Sequence, residues 1–209
     1  LIHKLQPACL VANNHHQTPF EGEDFQIFER DVPGENKAGL SGQDVSKLPI
    51  DTCQTMNGMW GYKVVDQNYK SADELIHLLV RTAAKGANLL LNIGPQPDGN
   101  LPDTALARLK DIGKWLANYG ESIYGTTHGE VVNGEQIVST RKGNTLFLHL
   151  LQAPKGKLSF NYNKKIMRIE RFPEGEAVKF TQKKGIVEIE NLDAQPSPIL
   201  TLRIIDKQK

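Results

Sequence analysis

The polar and aromatic residues best suited to chemistry fall in two short stretches. The first runs Asn13-Asn14-His15-His16 and continues as Asp24-Phe-Gln-Ile-Phe-Glu-Arg-Asp31. Glu29 follows an apolar Phe25, Ile27, Phe28 context. Such a setting raises a carboxyl pKa and lets the group hold a proton for delivery as a general acid, which is the chemistry of glycoside hydrolysis. The neighbouring Arg30 offers the plainer reading of a surface ion pair. Asp51 and Asp31 are weaker candidates of the same type. His15 and His16 are adjacent on an extended segment, so their side chains point to opposite faces and make a poor chelate together. One of the two can face a ligand, or both can be solvated loop residues. In the second stretch, Met56-Asn-Gly-Met-Trp-Gly-Tyr62, two glycines frame Trp60 and let the backbone turn sharply while exposing flat apolar faces. Sugars bind on such faces; the alternative is that Trp60 packs at a buried strand end.

Other chemistries lose ground. Leu91-Asn-Ile-Gly-Pro95 offers Asn92 and a tight turn, yet no GxGxxG or GxxxxGK[ST] pattern surrounds it. There is no GxSxG, HExxH or paired CxxC. Cys9 and Cys53 are too few for a disulfide framework and lack metal-ligand spacing. The chain carries 25 basic against 24 acidic residues, a net charge of +1, with no lysine or arginine block. That argues against nucleic acid or an anionic membrane as partner. The apolar run from Ala87 to Ile93 is far short of the roughly 20 residues that span a bilayer.

These residues need elements to hold them. Over the first 125 positions short apolar runs alternate with amphipathic ones, the pattern of a parallel α/β architecture. Ser71 with Glu74 forms a capping box, Leu75, Ile76, Leu79, Val80 and Ala83 make one apolar stripe, and Gly86 closes the helix. The run 88–93 then reads as a strand buried on both faces. A second helix follows Pro102-Asp103, with a predicted stripe of Leu106, Leu109, Ile112 and Leu116, and ends at Gly120. From Thr126 onward the helical period disappears. Strand-like runs at 136–140, 145–151, 158–162, 166–171, 178–181, 186–189 and 199–205 predict an antiparallel sandwich. His128 and His149 lie there and read as structural, with His149 facing away from Leu148 and Leu150. We place a boundary near Thr126, giving domains 1–125 and 126–209. A (β/α)8 barrel needs about 250 residues, so the first domain is roughly half a barrel or a smaller open sheet. The chain opens on Leu1, in an apolar start with no charged n-region or cleavage site, and so reads as a piece or processed product of a longer protein.

Leu89-Leu-Leu-Asn-Ile-Gly-Pro-Gln-Pro-Asp-Gly99, with Lys114-Trp-Leu-Ala-Asn-Tyr-Gly-Glu-Ser-Ile-Tyr-Gly125, closely resembles the α-L-fucosidases of glycoside hydrolase family 29. The resemblance extends to Cys53–Tyr62, to Asn13–His16 and to Gly22–Gln26, while the β-rich part is similar in architecture to that family's C-terminal sandwich. It implies the C-terminal half of a (β/α)8-like barrel followed by an antiparallel β-sandwich. It implies a retaining exo-glycosidase that releases terminal L-fucose from a fucosylated oligosaccharide or glycoconjugate, with two carboxyls about 5 to 5.5 Å apart in the general scheme. It also implies no metal or organic cofactor and a secreted or periplasmic location. No residue matches the family's nucleophilic Asp, which is expected upstream of Leu1. The resemblance makes Glu29 the acid/base, Asp51 its rival, and His15, His16 and Trp60 sugar-binding residues. Alone, the chain is expected to be inactive. A truncated, catalytically inactive carbohydrate-binding remnant is the competing reading, another retaining exo-glycosidase a third, and the neutral surface leaves a homo-oligomer open.

Overall fold

A computed structural model describes residues 1–14, 21–40, 42, 44–152, 154, 156–190, 192 and 197–207. The chain divides into two compact units, residues 1–71 with 85–108, and residues 72–84 with 109–209.

In the first unit a short helix α1 (Ile2–Leu5) precedes four strands, β1 (Ala12–Asn13), β2 (Phe25–Glu29), β3 (Ile50–Thr55) and β4 (Ala87–Asn92). They form one parallel sheet in the order β1-β2-β3-β4. Glu29 registers with Cys53, and Ile27 with Asp51, which registers in turn with Asn88. Because side chains alternate along a strand, Gln26, Phe28, Thr52 and Gln54 share one face and are all buried. Glu29, Asp51 and Cys53 share the other and are half-buried. The buried face is tied to its covering loop: the Gln26 amide donates to Asp44 O at 3.0 Å and accepts from the Ser46 N–H at 2.7 Å. The expectation that 88–93 is buried on both faces fails. Leu90, on the Glu29 face, is 66% exposed, and Asn88 on the same face is exposed too.

In the second unit α2 (Ala72–Ala84) starts just after Ser71 and buries Leu75, Ile76, Val80 and Ala83; Gly86, at φ 74°, stands where the predicted stop is. The helix α3 (Asp103–Tyr119), whose residues 103–108 belong to the first unit, begins after Pro102 as read, but its buried stripe is Ala105, Ile112, Trp115 and Tyr119, while Leu106 and Leu109 are exposed. Two aromatic side chains bury more apolar area than two leucines, and they set which face turns inward. A 3₁₀ turn (Gly120–Ser122) follows.

Eight further strands are β5 (Thr127–His128), β6 (Ile137–Lys142), β7 (Thr145–Leu150), β8 (Leu158–Asn161), β9 (Ile166–Phe172), β10 (Phe180–Lys183), β11 (Ile186–Ile189) and β12 (Leu200–Asp206). They make two antiparallel sheets, β5-β6-β7-β12-β9 and β10-β11-β8. Each of the seven predicted runs overlaps a strand, 178–181 only at its last two residues because β10 is shifted to Phe180–Lys183; among the described residues the two-residue β5 is additional. Leu146, Leu148 and Leu202 of the larger sheet belong to one core with Phe160, Val187 and Ile189 of the smaller. The larger sheet is also covered on its other face. Phe147 meets Phe172 edge-on at 5.2 Å, Phe172 meets Tyr119 at 5.9 Å, and Tyr119 stacks on Trp115 at 5.0 Å. His149 points into that second layer, fully buried between Thr140 and Thr201, with Nε2 3.0 Å from Thr140 Oγ1 and Nδ1 3.2 Å from Thr201 Oγ1. The Thr140 hydroxyl gives its proton to Ser122 O at 2.6 Å, so Nε2–H donates to Thr140 and Nδ1 accepts from Thr201. Burial drives the imidazole pKa down to about 3, and the ring is neutral.

Candidate active site

β2 ends on Glu29, and the chain then turns through Arg30 at φ 62°, a left-handed conformation that residues with a Cβ seldom adopt. The turn is pinned by the Arg30 N–H, which donates to Cys53 O at 2.8 Å. The Arg30 guanidinium donates to Gly58 O at 3.0 Å and lies 5.2 Å from the centre of the Trp60 ring. Just beyond β1, the Asn14 amide donates to Glu29 Oε2 at 3.3 Å. Asn14, Glu29, Arg30 and Trp60 therefore gather past the C-terminal ends of parallel strands, where α/β proteins keep their sites. Trp60 is half-buried, with the cationic head group against its ring, and is not a fully packed strand end.

The two aromatic and glycine-rich motifs lock together under this cluster. The Asn92 amide at the end of β4 donates to Trp60 O at 2.7 Å. A Cβ on Gly94 would lie 2.4 Å from Tyr62 N and 2.5 Å from Gly61 C, so only glycine fits at that position. Lys70 clamps the start of the same loop, its ammonium donating to Thr55 O at 2.7 Å and its N–H to Met56 O at 2.7 Å. The Asp66 carboxylate holds the Gly58 N–H at 3.0 Å.

The remaining candidates separate by position. Asp51 shares the Glu29 face but lies two residues nearer the start of β3 than Cys53, the register partner of Glu29, and accepts the Asn88 amide at 3.0 Å. Cys53 sits between the two carboxylates. Its thiol pKa is pushed up first by burial and then by the charges of Glu29 and Asp51. Asp31 is buried, and its carboxylate receives the backbone N–H groups of Lys37 and Ala38 at 3.0 to 3.2 Å, so it anchors a loop. Phe28, counted in the apolar surroundings of Glu29, is on the opposite face; Phe25 and Ile27 share its own. Asp24 receives the Val11 N–H at 2.7 Å and lies 2.9 Å from His3 Nε2; the backbone donor chiefly holds its carboxyl below the usual range. His15 and His16 lie outside the described residues. Among the described residues no group of three or more His, Cys, Asp or Glu is arranged to hold a metal ion.

Of the residues singled out in the sequence, Glu29 and Trp60 lie in this cluster; the contacts of Arg30 are not legible there, because a left-handed turn and a ring contact across 30 residues leave no local pattern. The steric demand at Gly94 is missed as well. The signal available there is a glycine directly after a strand, which marks a close backbone approach.

Residues 1–121 match the sequence profile of the Alpha-L-fucosidase family. The chain belongs to the α-L-fucosidase family. It is 41% identical over 85 residues to the α-L-fucosidase of Dictyostelium discoideum, covering 40% of this chain and 18% of that protein. It is 39% identical over 79 residues to human plasma α-L-fucosidase, covering 36% and 17%. Among solved structures, α-L-fucosidase isoenzyme 1 from Paenibacillus thiaminolyticus superposes with a TM-score of 0.81 at 26% identity, over 99% of this chain and 52% of that one. The Thermotoga maritima α-fucosidase bound to a mechanism-based inhibitor gives 0.76 at 27%, over 98% and 47%. The chain thus spans about half the length of these solved α-L-fucosidases and about a fifth of the curated relatives. Both interlocked motifs, 56–62 and 89–99, lie inside the matched α-L-fucosidase region. The superposition also takes in the antiparallel sheets beyond it.

Proposed function

We propose that this chain forms the C-terminal half of the (β/α)8-like catalytic domain, residues 1–125, and the following β-sandwich of an enzyme that releases terminal L-fucose from glycans. Glu29 is its acid/base residue, and the nucleophilic carboxylate comes from protein outside these 209 residues. The carrying observation is the cluster at the strand ends: Glu29 held by Asn14, beside an Arg30 guanidinium resting on the half-buried Trp60. Among the described residues β4 is an edge strand of its sheet, which supports further strands lying alongside it in the complete enzyme.

The chemistry follows from retaining hydrolysis. Glu29 in its protonated form gives its proton to the glycosidic oxygen as the bond to the anomeric carbon breaks. The same carboxylate then takes a proton from the water that attacks the fucosyl intermediate. Asn14 donates to one carboxylate oxygen and helps to orient the group. Arg30 holds the Trp60 ring, which offers an apolar face toward a sugar.

The test is a panel of aryl glycosides presented to the complete protein. Release from the α-L-fucoside at least about a hundredfold faster than from other aryl glycosides supports the assignment. Equal or preferred cleavage of another glycoside would replace the substrate, and no cleavage of any would favour the inactive carbohydrate-binding reading.

A further inference from the structure

The basic residues of the second unit look dispersed in sequence, yet the strand topology brings them to one end of the sandwich. Lys142 ends β6 before the turn to β7, Lys164 and Lys165 lie in the turn between β8 and β9, Lys183 ends β10 with Lys184 following in the turn to β11, and Lys207 follows the end of β12. The pairings place all four at the same pole: Thr145 registers with Ile205, Ile166 with Asp206, Asn161 with Ile186, and Ile186 with Lys183. All six lysines are exposed. Lys207, Lys164 and Lys165 line an open concavity of about 1180 Å³ together with Arg141 and the amide side chains Asn144 and Asn163.

The acidic groups at this pole are already engaged. Asp206 accepts the Tyr162 hydroxyl at 2.6 Å and Arg141 Nη1 at 2.9 Å, and Glu130 accepts Arg141 Nε at 2.8 Å and Lys164 Nζ. Six lysines and an arginine therefore face two carboxylates, a concentrated positive surface of the kind that binds polyanions. Lys184 adds an independent observation. It sits in a two-residue hairpin turn at φ 49°, followed by Gly185 at φ 79°, where Asn or Gly is the unstrained choice. A lysine there keeps a charge at the tip at the expense of backbone strain. The opposite pole mixes signs, with Glu135, Lys157, Glu174, Glu176, Lys179 and Glu190.

We propose that this pole of the sandwich is a second binding site, taking a polyanionic glycan such as a sulfated polysaccharide. The cationic surface stands on geometry alone; the choice of a glycan rests on the α-L-fucosidase reading. One exposed aromatic, Tyr124, borders the pole, its carbonyl receiving Lys142 Nζ at 3.3 Å. A single ring suits one sugar, whereas single-stranded nucleic acid is held by a succession of stacked bases.

The experiment measures binding of dextran sulfate, with neutral dextran as the control, to the whole chain by fluorescence anisotropy. The variants are K165Q/K183Q/K184N/K207Q at the basic pole and K157Q/K179Q at the opposite one, each checked by thermal melting. We expect dextran sulfate to bind, neutral dextran not to, and affinity to fall steeply between roughly 50 and 200 mM salt. The basic-pole variant should melt no lower than the parent and lose at least about tenfold in affinity, and the opposite-pole variant should lose less than about twofold. No binding at low salt, equal loss in both variants, or undiminished binding by a folded basic-pole variant would overturn the site. Tighter binding of a single-stranded oligonucleotide of matched charge would overturn the glycan assignment. None of these readouts depends on fucose release, so failure here is distinct from failure of the catalytic assignment.

Discussion

The two main sheets of this chain are covered differently. The five-stranded antiparallel sheet is buried on both faces, by the leucine and isoleucine core on one side and by Phe147, Phe172, Tyr119 and Trp115 on the other. The four-stranded parallel sheet buries Gln26, Phe28 and Thr52 on one face and leaves Glu29, Asp51 and Leu90 on the other half-buried or exposed. Where both faces are covered, strands hold structure, and the buried His149 has a hydrogen-bond partner at each ring nitrogen. Where one face is polar and open at the strand ends, ionisable groups keep access to a ligand. On the proposed catalytic reading, the contrast puts stability in the sandwich and chemistry on the parallel sheet.

That contrast can be broken from either side. The largest effect on stability belongs to the doubly covered sheet: Leu202→Ala or Leu148→Ala, each at 0% exposure, should cost about 3 to 5 kcal/mol, read as a shift in urea midpoint. The same truncation at Leu90 on the open face should change stability by less than about 0.5 kcal/mol. Comparable losses at both positions would erase the distinction.

Gly94→Ala comes next. The added methyl would press on the Gly61–Tyr62 backbone, and we expect a loss of about 2 kcal/mol with raised protease sensitivity in the 56–70 loop. Gly61→Ala, which meets nothing within 4 Å, is the control.

A pH titration sharpens the view of the sandwich. The His149 pKa is depressed from 6.5 in the unfolded chain to about 3 in the fold, so the unfolded state binds the proton first. Its contribution is fully present above about pH 6.5 and is lost as pH falls from there toward 3, with a limiting slope of about 1.4 kcal/mol per pH unit. Urea melts between about pH 6.5 and 5, above most carboxylate titrations, should show this slope developing. A His149→Gln variant should flatten it. The smallest expected effect is Lys184→Asn, which relieves the left-handed backbone and should stabilise by about 0.5 to 1 kcal/mol.

Much of this was legible in the residues. Alternating apolar runs and turn signals mark all seven long strands of the sandwich, and Ser71, Gly86 and Pro102 mark helix ends, because propensity and capping act locally. Two errors share one cause. Leu106 and Leu109 look like a buried stripe, and Leu90 looks like part of a doubly buried strand, because apolar composition shows what can be buried and not which neighbour is there to bury it. At the site, Glu29 and Trp60 stand out by type. The contact of Arg30 with Trp60, the loop-anchoring role of Asp31 and the convergence of lysines from three turns and the end of β12 depend on chain reversals that no local window contains.

The most direct test of the central claim compares Glu29→Ala and Asp51→Ala in the complete protein on aryl α-L-fucosides of graded leaving-group acidity. A lost general acid matters most where the leaving group most needs a proton. The account predicts that Glu29→Ala lowers kcat/KM by about 10² to 10⁴ on the poorest leaving groups and far less on activated ones, while Asp51→Ala shows no such dependence. A uniform or absent loss for Glu29→Ala, with the leaving-group dependence appearing in Asp51→Ala, would contradict it and move the acid/base role to Asp51.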